Sequence, residues 1–302
     1  MTDPMHTLFP GFRSGTLPVD SAGARIEIPY VTGGQGPALL LLHGFPQTRA
    51  LWHAVAPALA RRFTVVATDL RGYGDASRPD GGPDHAAYSK RAMAADQVAV
   101  MRALGHERFF LTGHDRGGRV AHRLAMDHPQ AVERLMVLDI SPTLSMYEHT
   151  DMTFASGYWH WFFLIQPAPL PETLMSADPE FMLRAFMGGR HAGLGPFAPA
   201  AWAEYVRCAS RPGAFHAMCE DYRAAATIDL AHDRADRDAG RRLPMPLHVL
   251  WGRHGLVQRC CRPIEDWRAV AAEVDGRALD CGHYIAEERP DELAQEMVRF
   301  FG

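Results

Sequence analysis

Residues 109–125 read FFLTGHDRGGRVAHRLA. An apolar run ends at Gly113, a polar corner follows at Asp115, and a helical pattern of small residues begins directly after it. A strand that turns sharply into a helix holds its corner residue above the sheet edge, beside backbone N–H groups that favour negative charge. An aspartate at a helix start is more often only a cap. Its place between Gly113 and Gly117, after a buried strand, favours a functional carboxylate.

The spacing of Gly113 and Gly117 is that of the nucleophile elbow, G-x-S-x-G, with Asp115 in place of the serine. A carboxylate can displace a leaving group at an sp³ carbon and form an ester with it. Water activated by a histidine then hydrolyses this ester, and the oxyanion forms on the oxygen of the aspartate itself. This chemistry suits alkyl halides and epoxides, and it does not suit ordinary carboxylic esters.

Unbroken apolar runs alternate with helical patterns over most of the chain. Residues 89–105 show a helical period, and the apolar runs cover 38–44, 63–70, 108–114, 134–140 and 246–252. Strands that are buried on both faces and separated by helices are typical of a mostly parallel sheet with helices on both of its faces. We therefore predict an α/β fold.

The alternation stops in the middle of the chain. From about Ser141 to Leu243 no comparable strand pattern occurs, and the sequence becomes aromatic and helical. A helical insert between two strands of a parallel sheet lies naturally as a cap over the carboxyl edge of the sheet, where ligands bind. We predict a first part of the core over residues 1–141, a helical cap over 142–242 and a second part of the core over 243–302.

The composition is that of an ordinary globular protein, with 47% hydrophobic and 22% charged residues and a formal net charge of −4. This charge gives no reason to expect a nucleic acid or a membrane as a partner. The longest aliphatic run, ALLLL at 38–42, is too short to cross a bilayer, and the amino terminus lacks a signal-peptide pattern. Five scattered cysteines and sixteen histidines show no metal-ligand spacing. We expect a cytoplasmic protein without a metal or a cofactor.

Two further residues at strand ends complete a hydrolytic set with Asp115. The final unit, GRALDCGHYIAEERPDELAQEMVRFFG (276–302), returns to a strand, a loop and an amphipathic helix, and His283 on that loop is the expected base. The acid that orients it is expected after VLDI or after VLWG. The second loop, 252–255, contains no carboxylate, whereas the first offers Asp139, and Asp266 is a distant second candidate. Lone loop histidines and turn-capping aspartates are common, so the assignment depends on the order nucleophile, acid, histidine, which hydrolases with such an elbow share.

Hydrogen-bond donors are expected around the carboxylate. The backbone N–H groups of Phe45 and Arg116 are the expected donors to the oxyanion. Arg116 and Arg119 fall in the first turn of a helix, where the helix dipole disfavours cations, so they suggest a recruited anion. Helix arginines are often merely solvated, but guanidinium groups match a carboxylate with bidentate geometry. If the recruited anion is the carboxylate of the substrate, it lies beside the reacting carbon, and the substrate is a short 2-haloacid.

Seven motifs spread along nearly the whole chain support a family resemblance. They are LLLLHGFPQT (39–48), DLRGYGDAS (69–77), GHDRGGR (113–119), VLDISPT (137–143), WHWFFLIQPAPLPE (159–172), MCEDYRAAA (218–226) and CGHY (281–284). Together they resemble the α/β-hydrolase superfamily and, within it, the fluoroacetate (haloacetate) dehalogenases. The resemblance implies a homodimeric enzyme that hydrolyses carbon–halogen bonds without a cofactor, converting fluoroacetate or chloroacetate to glycolate and halide.

The resemblance also implies roles for eight residues. They are the nucleophile Asp115, the base His283, its partner Asp139, the carboxylate-binding Arg116 and Arg119, and the halide-binding His160, Trp161 and Tyr222. The last three offer an imidazole, an indole N–H and a phenol O–H. Such donors can replace the water that a departing fluoride loses.

Two other functions stay open at this point. Epoxide hydrolases share the Asp–His–Asp machinery but use two cap tyrosines, of which only Tyr222 is matched here. A non-catalytic ligand-binding protein on a hydrolase scaffold is the third reading, against which the complete catalytic set argues. The preferred acid is also open, because residues 186–193, FMGGRHAG, place Arg190 or a glycine where the resembled family has a tryptophan.

Overall fold

The computed structural model describes residues 4–21 and 23–302, and the predicted α/β fold with an inserted helical cap is confirmed. One eight-stranded sheet runs through the described part of the chain. Its strands are β1 (Arg13–Ser21), β2 (Ala24–Gly33), β3 (Ala38–Leu42), β4 (Thr64–Thr68), β5 (Phe109–His114), β6 (Val132–Leu138), β7 (Leu247–Gly252) and β8 (Val274–Leu279).

The sheet is mostly parallel. Its strand order is β1-β2-β4-β3-β5-β6-β7-β8, and only the pairs β1–β2 and β2–β4 are antiparallel. β3 lies between β4 and β5, and all five of its residues are buried. Burial on both faces explains why ALLLL is apolar without alternation. The five strand patterns predicted from the sequence correspond to β3–β7.

The hairpin of β1 and β2 is a feature that the sequence prediction lacks. β1 is an edge strand in which only Val19 and Ser21 of nine residues are buried. It also contains Gly15 and Pro18, two residue types that are depleted in strands. A half-exposed edge strand of this kind has no unbroken apolar run to reveal it.

Helices surround the sheet in the described residues, and none of them is both long and apolar enough to span a membrane. The α-helices are α1 (Pro4–Leu8), α2 (Ala56–Leu59), α3 (Lys90–Ala103), α4 (Arg116–Asp127), α5 (Thr143–Glu148), α6 (Met152–Gly157), α7 (Trp159–Leu164), α8 (Leu170–Ala177), α9 (Pro179–Gly188), α10 (Pro199–Ala209), α11 (Ala214–Ala226), α12 (Ile228–Asp238), α13 (Leu256–Cys260), α14 (Pro263–Arg268), α15 (Ile285–Glu288) and α16 (Pro290–Phe301). Two short 3₁₀ helices cover Arg49–Trp52 and Ala86–Tyr88.

The segment between β6 and β7 is helical. It contains α5–α12 and, among the residues that are described, no strand. α12 meets α4 through Arg123, whose guanidinium pairs with Asp233 and Asp236. α4 also packs against α3, β5 and β6, and every one of its residues from Arg116 to Met126 is buried. The exact limits of a cap at 142–242 stay a prediction.

Adjacent strands bring the predicted site residues to one edge of the sheet. Phe45 follows β3, Asp115 follows β5, Asp139 follows β6 and His283 follows β8. These strands are parallel neighbours together with β7, so their carboxyl ends meet at the same edge. Residues that are far apart in the sequence therefore become neighbours beneath the helices of the inserted segment.

Candidate active site

Asp115 occupies a strained corner between β5 and α4. Its backbone lies in the left-handed region, with a φ of 46°, and its N–H donates to the carbonyl oxygen of Leu138 on β6 (3.2 Å). A Cβ on Gly113 would overlap the backbone of Gly117, and a Cβ on Gly117 would overlap the backbone of His43. Close backbone packing at the elbow therefore explains the G-x-D-x-G spacing.

The carboxylate of Asp115 is held as an anion. It is 6% exposed, and its Oδ1 accepts a hydrogen bond from the N–H of Phe45 (3.0 Å). Burial acts to raise its pKa, but the electrostatic influence of neighbouring groups, among them the imidazole of His283 and the guanidinium of Arg119, outweighs burial and holds the pKa below the usual range. In the described part of the chain, no hydrogen bond reaches this carboxylate from the backbone N–H of Arg116, the second predicted oxyanion donor.

His283 and Asp139 form a bonded pair at neighbouring strand ends. Nδ1 of His283 lies 2.6 Å from Oδ2 of Asp139, whose other oxygen accepts the N–H of Gly252 (2.9 Å). An imidazole that donates through Nδ1 keeps Nε2 free as a base, and the carboxylate stabilises the imidazolium that forms. Asp266, the distant second candidate for the acid, lies on α14 and accepts the N–H of Arg262 instead (3.3 Å).

Arg116 is committed to an acidic partner inside the protein. Its Nε and Nη2 donate to the two carboxylate oxygens of Asp221 on α11, at 2.9 and 2.8 Å. Asp221 also accepts hydrogen bonds from Lys90 and Tyr73, so three donors share one fully buried carboxylate. Only Nη1 of Arg116 lacks a partner among the described residues. The charge of Arg116 is therefore balanced before a substrate binds.

Arg119, one helical turn after Asp115, forms no salt bridge within the described residues. Its Nη1 donates to Oγ1 of Thr143 (2.9 Å), its Nη2 lies 3.2 Å from the sulfur of Met146, and its Nε is buried without a partner. The guanidinium carbon lies 4.7 Å from the ring centre of Trp161. Burial lowers the pKa of Arg119 from its usual value. A buried cation without an anion is costly, so this side chain is suited to receive one.

The three predicted halide-binding residues lie in the inserted segment: His160 and Tyr222 contact Phe45, and Trp161 lies beside Tyr222. The ring of His160 stacks on Phe45 with centres 5.8 Å apart, and the ring of Tyr222 lies edge-on to Phe45 at 5.2 Å. Nε1 of Trp161 and the hydroxyl of Tyr222 are buried and have no hydrogen-bond partner in the described part of the chain. Such orphaned donors are rare in folded proteins and call for an explanation. Burial, together with the charge of Asp115, raises the pKa of Tyr222 well above its usual value, so its phenol stays protonated and can donate.

The pocket at Asp115 is small and nearly closed. Its volume is about 10 Å³, and it is lined by Phe45, Asp115, Tyr158, His160, Phe186, Arg190, His283 and Tyr284. A wider cavity of about 610 Å³ shares four of these residues, His160, Phe186, Arg190 and His283. Four of the residues predicted to bind the substrate carboxylate or the halide do not line the small pocket. They are packed behind it, in contact with Phe45, with Asp221 or with one another: Arg116, Arg119, Trp161 and Tyr222.

Three lining residues are absent from the sequence prediction. Tyr158 and Tyr284 directly adjoin predicted positions in the chain, in YWHW and in GHY, and this adjacency is the only signal that the sequence offers for them. Phe186 comes from α9 and is drawn in by packing. Arg190 belongs to the FMGGRHAG stretch, and it does reach the pocket.

One group of potential metal ligands occurs in residues 4–21 and 23–302, outside this pocket, and it consists of Asp75, Glu204 and Cys208. Arg207 contacts a carboxylate oxygen of Asp75 and one of Glu204, each at 2.7 Å. A second guanidinium, that of Arg211, also binds Asp75. Because arginines already neutralise its carboxylates, this group is a salt-bridge network and not a metal centre.

Comparisons with known proteins give the family. The chain matches the family model of the α/β hydrolase fold over residues 37–290. It is 46% identical to a fluoroacetate dehalogenase from Burkholderia sp. over 97% of this chain and 95% of that protein. It is also 36% identical to a soluble epoxide hydrolase from Corynebacterium sp. (strain C12), over 90% of this chain and 92% of that protein.

A solved structure gives the same result at the level of the fold. An α/β hydrolase from Nostoc sp. PCC 7120 superposes with a TM-score of 0.92 at 52% identity, over 96% of this chain and 98% of that chain. The matches cover nearly the whole chain, and the elbow carries an aspartate. The chain is thus an enzyme of the α/β-hydrolase superfamily and belongs, within it, to the fluoroacetate dehalogenase family.

Proposed function

We propose that the protein hydrolyses short 2-haloacids, such as fluoroacetate and chloroacetate, to the 2-hydroxyacid and halide through an ester on Asp115. The observation that carries the proposal is a set of buried donors near Asp115 without partners in the described residues: Nε of Arg119, Nε1 of Trp161 and the hydroxyl of Tyr222. A cation without a carboxylate partner suits the carboxylate of the substrate, and neutral donors suit a departing halide. The reaction needs water and no cofactor.

In the first step, Oδ2 of Asp115 attacks the carbon that carries the halogen, from the side opposite the halogen. The carbon–halogen bond breaks, and the halide leaves with the bonding electrons. It accepts hydrogen bonds from His160, Trp161 and Tyr222, which replace part of its hydration shell. Arg119, with the free Nη1 of Arg116, holds the substrate carboxylate so that the reacting carbon stays in line with Asp115.

In the second step, water attacks the carbonyl carbon of the Asp115 ester while Nε2 of His283 takes a proton from it. Asp139 stabilises the imidazolium. The oxyanion forms on the oxygen that the N–H of Phe45 binds, and the N–H of Arg116 is the proposed second donor. When the intermediate collapses, the 2-hydroxyacid takes the proton from His283. The carboxyl group of Asp115, which now holds one oxygen from water, releases the second proton of that water to solvent and becomes a carboxylate again.

The proposed organisation places this site between a core of residues 1–141 and 243–302 and a cap of residues 142–242, in a cytoplasmic homodimer. Leu170, Leu174 and Phe181 are large apolar side chains that are exposed on α8 and α9, and they support a subunit contact there. The five cysteines are free, which supports a reducing compartment. Light scattering measures the number of subunits.

Halide release tests the proposed reaction. A fluoride-selective electrode follows fluoroacetate, and a chloride assay follows chloroacetate in parallel. We expect equal amounts of halide and glycolate from the wild-type protein and a loss of turnover of about ten-thousand-fold or more in Asp115→Ala. Circular dichroism of the variant controls for its folding. Halide from neither acid, or wild-type turnover by the variant, would contradict the proposal.

Isotope labelling separates the ester mechanism from direct attack by water on the substrate. During a single turnover in water enriched in oxygen-18, we expect the label in the side chain of Asp115, because the hydroxyl oxygen of the first glycolate comes from the enzyme. Mass spectrometry of the glycolate and of the peptide that contains Asp115 reads this out. Label in the first glycolate would mean that water, assisted by His283, attacks the substrate directly and that no ester forms.

Epoxide hydrolysis is the second candidate, and the position of Tyr158 favours it. Tyr158 lines the pocket with Asp115 and is 3% exposed. Together with Tyr222 it supplies two tyrosines of the kind that protonate an epoxide oxygen. The unpaired Arg119 argues against this function, because a neutral epoxide leaves it without an anion. If the protein hydrolyses styrene oxide and releases no halide from haloacids, it is an epoxide hydrolase and not a dehalogenase.

A further inference from the structure

The small pocket at Asp115 and the wide cavity outside it meet at a cation that the proposed reaction does not use. The two spaces share His160, Phe186, Arg190 and His283 as lining residues. His160 and His283 have roles in the proposed reaction, and Phe186 is apolar. Arg190 is therefore a charged group at the mouth of the pocket without an assigned task.

Arg190 has donors available for an anion. Its guanidinium forms no salt bridge with any residue that the structure describes. Its guanidinium carbon lies 5.6 Å from the ring centre of Tyr158, and its charge also acts on the phenol of Tyr284. Burial raises the pKa of both phenols above the usual value, so neither partner neutralises the guanidinium. A guanidinium has five N–H donors, and most of those of Arg190 remain free.

The surroundings of Arg190 favour a negative charge. The lining of the wide cavity includes Arg259, His191 and His254 in addition to Arg190, and it contains no aspartate or glutamate. An anion that approaches Arg190 through this cavity therefore meets a second guanidinium, that of Arg259, and no carboxylate of the lining. The small pocket has one acidic lining residue, Asp115, which is the nucleophile.

Two cations thus lie at different depths around the nucleophile. Arg119 is packed behind the pocket against Trp161, whereas Arg190 lines both the pocket and the cavity. We propose that the site accepts 2-halo dicarboxylic acids, whose carboxylate beside the halogen binds Arg119 and whose second carboxylate binds Arg190. This inference rests on the proposed dehalogenase function and defines its substrate class. Asp115 displaces the halide, and hydrolysis of the ester by water releases a 2-hydroxy dicarboxylate, halide and a proton.

A pair of substrates with the same number of carbons isolates the second carboxylate. The measured quantity is kcat/KM for 2-chlorosuccinate divided by kcat/KM for 2-chlorobutanoate, whose far end is neutral. We expect this ratio to be about tenfold or more above unity in the wild-type protein and to fall by about tenfold in Arg190→Met, because a charge-assisted pair is lost. An unchanged ratio in Arg190→Met overturns the proposal.

Arg259→Met is the matched control, because it removes the same charge from the wide cavity but not from the small pocket. We expect it to keep the substrate ratio. If the substrate ratio falls equally in both variants, the cavity attracts the second carboxylate only through its overall charge. This result would overturn a specific site at Arg190. Equal losses on chloroacetate and on 2-chlorosuccinate in Arg190→Met would make Arg190 a support of Tyr158 and Tyr284, which also overturns the proposal.

Binding without turnover separates this inference from the proposed reaction. Succinate and butanoate, which carry no halogen, are titrated calorimetrically into the wild-type protein and Arg190→Met. We expect succinate to bind about tenfold more tightly than butanoate, and this advantage to disappear in the variant. If that difference is found but no haloacid is hydrolysed, the second anion site stands and the reaction fails. If chloroacetate is hydrolysed but succinate has no advantage, the reaction stands and the second anion site fails.

Discussion

The sheet edge and the cap side of the pocket differ in how far their polar groups are satisfied. At the sheet edge, Asp115 and Asp139 each accept a backbone N–H, and Asp139 also binds His283. On the cap side, the indole N–H of Trp161 and the hydroxyl of Tyr222 are buried without a partner among the described residues. The carboxylates at the sheet edge are therefore bonded within the protein, whereas these two donors on the cap side are not.

The two arginines at the start of α4 also differ in whether a carboxylate partner satisfies them. Arg116 is paired with Asp221, and Arg119, three residues later, forms no salt bridge with a described residue. An unpaired buried charge lowers stability by several kcal/mol, so its presence favours a role in binding over a role in folding. The contrast predicts which substitutions reduce turnover, which reduce substrate binding and which reduce stability.

The largest effect is expected from breaking the sheet-edge set at His283. In His283→Asn, Asp115 can still attack, but no base remains to activate water, so we expect one halide per site and then an arrest. Steady-state turnover falls by about ten-thousand-fold or more. Intact-protein mass spectrometry after exposure to chloroacetate detects the ester that stays on the enzyme. His106→Asn, before β5 and outside the pocket, is the control, and repeated turnover by His283→Asn contradicts the role of the base.

The next largest effects distinguish the binding role of Arg119 from the structural role of Arg116. In Arg119→Met we expect KM for chloroacetate to rise roughly 10- to 100-fold, because the unpaired cation that we propose as the carboxylate-binding group is lost. In Arg116→Met we expect the free energy of unfolding to fall by about 3 kcal/mol, because the buried Asp221 loses its bidentate partner. Steady-state kinetics and denaturant unfolding of both variants measure these quantities. An unchanged KM in Arg119→Met would remove that residue from the carboxylate site.

A smaller effect tests the orphaned donors of the cap side. In Tyr222→Phe we expect fluoride release to slow by roughly 100-fold and chloride release by roughly tenfold, because fluoride depends more strongly on donated hydrogen bonds. The two rates are measured on fluoroacetate and chloroacetate. Tyr88→Phe, a buried tyrosine outside the pocket, controls for the substitution itself. Equal losses for the two halides would argue against halide binding by Tyr222.

The smallest effect on turnover is expected at Glu287, a buried carboxyl on α15 that accepts hydrogen bonds from Tyr205 (2.6 Å) and Gln47 (3.3 Å). Burial raises its pKa from 4.5 to about 8, so the folded protein holds a proton there that the unfolded chain releases above its ordinary pKa. The stability that this proton contributes is complete below about pH 4.5 and is lost as the pH rises through about 8, at up to about 1.4 kcal/mol per pH unit. Melting temperatures are measured across this pH range. We expect the Tm of the wild-type protein to fall, relative to the Tm of Glu287→Gln, as the pH rises. If the Tm of the two proteins changes with pH in the same way, Glu287 does not hold a proton in the folded protein.

Much of the fold could be predicted because it depends on local patterns. β3 is a run of five buried aliphatic residues, and Gly113 and Gly117 are required by backbone contacts on either side of Asp115. Parallel strands then bring Asp139 and His283 to the same edge by a general rule of open sheets. The β1–β2 hairpin could not be predicted in this way, since an exposed edge strand needs no apolar run.

The amino-acid sequence alone predicts an α/β hydrolase with a carboxylate at the elbow, an acid and a histidine at later strand ends, and two arginines in the first turn of α4. The tertiary structure shows that Arg116 is paired and that Arg119 forms no salt bridge with a described residue. The sequence could not show this, because the partner, Asp221, lies 105 positions away from Arg116 in the chain. It also decided that Arg190 reaches the mouth of the pocket. Charge pairing and burial depend on distances through space, and folding sets these distances between residues that no local pattern connects.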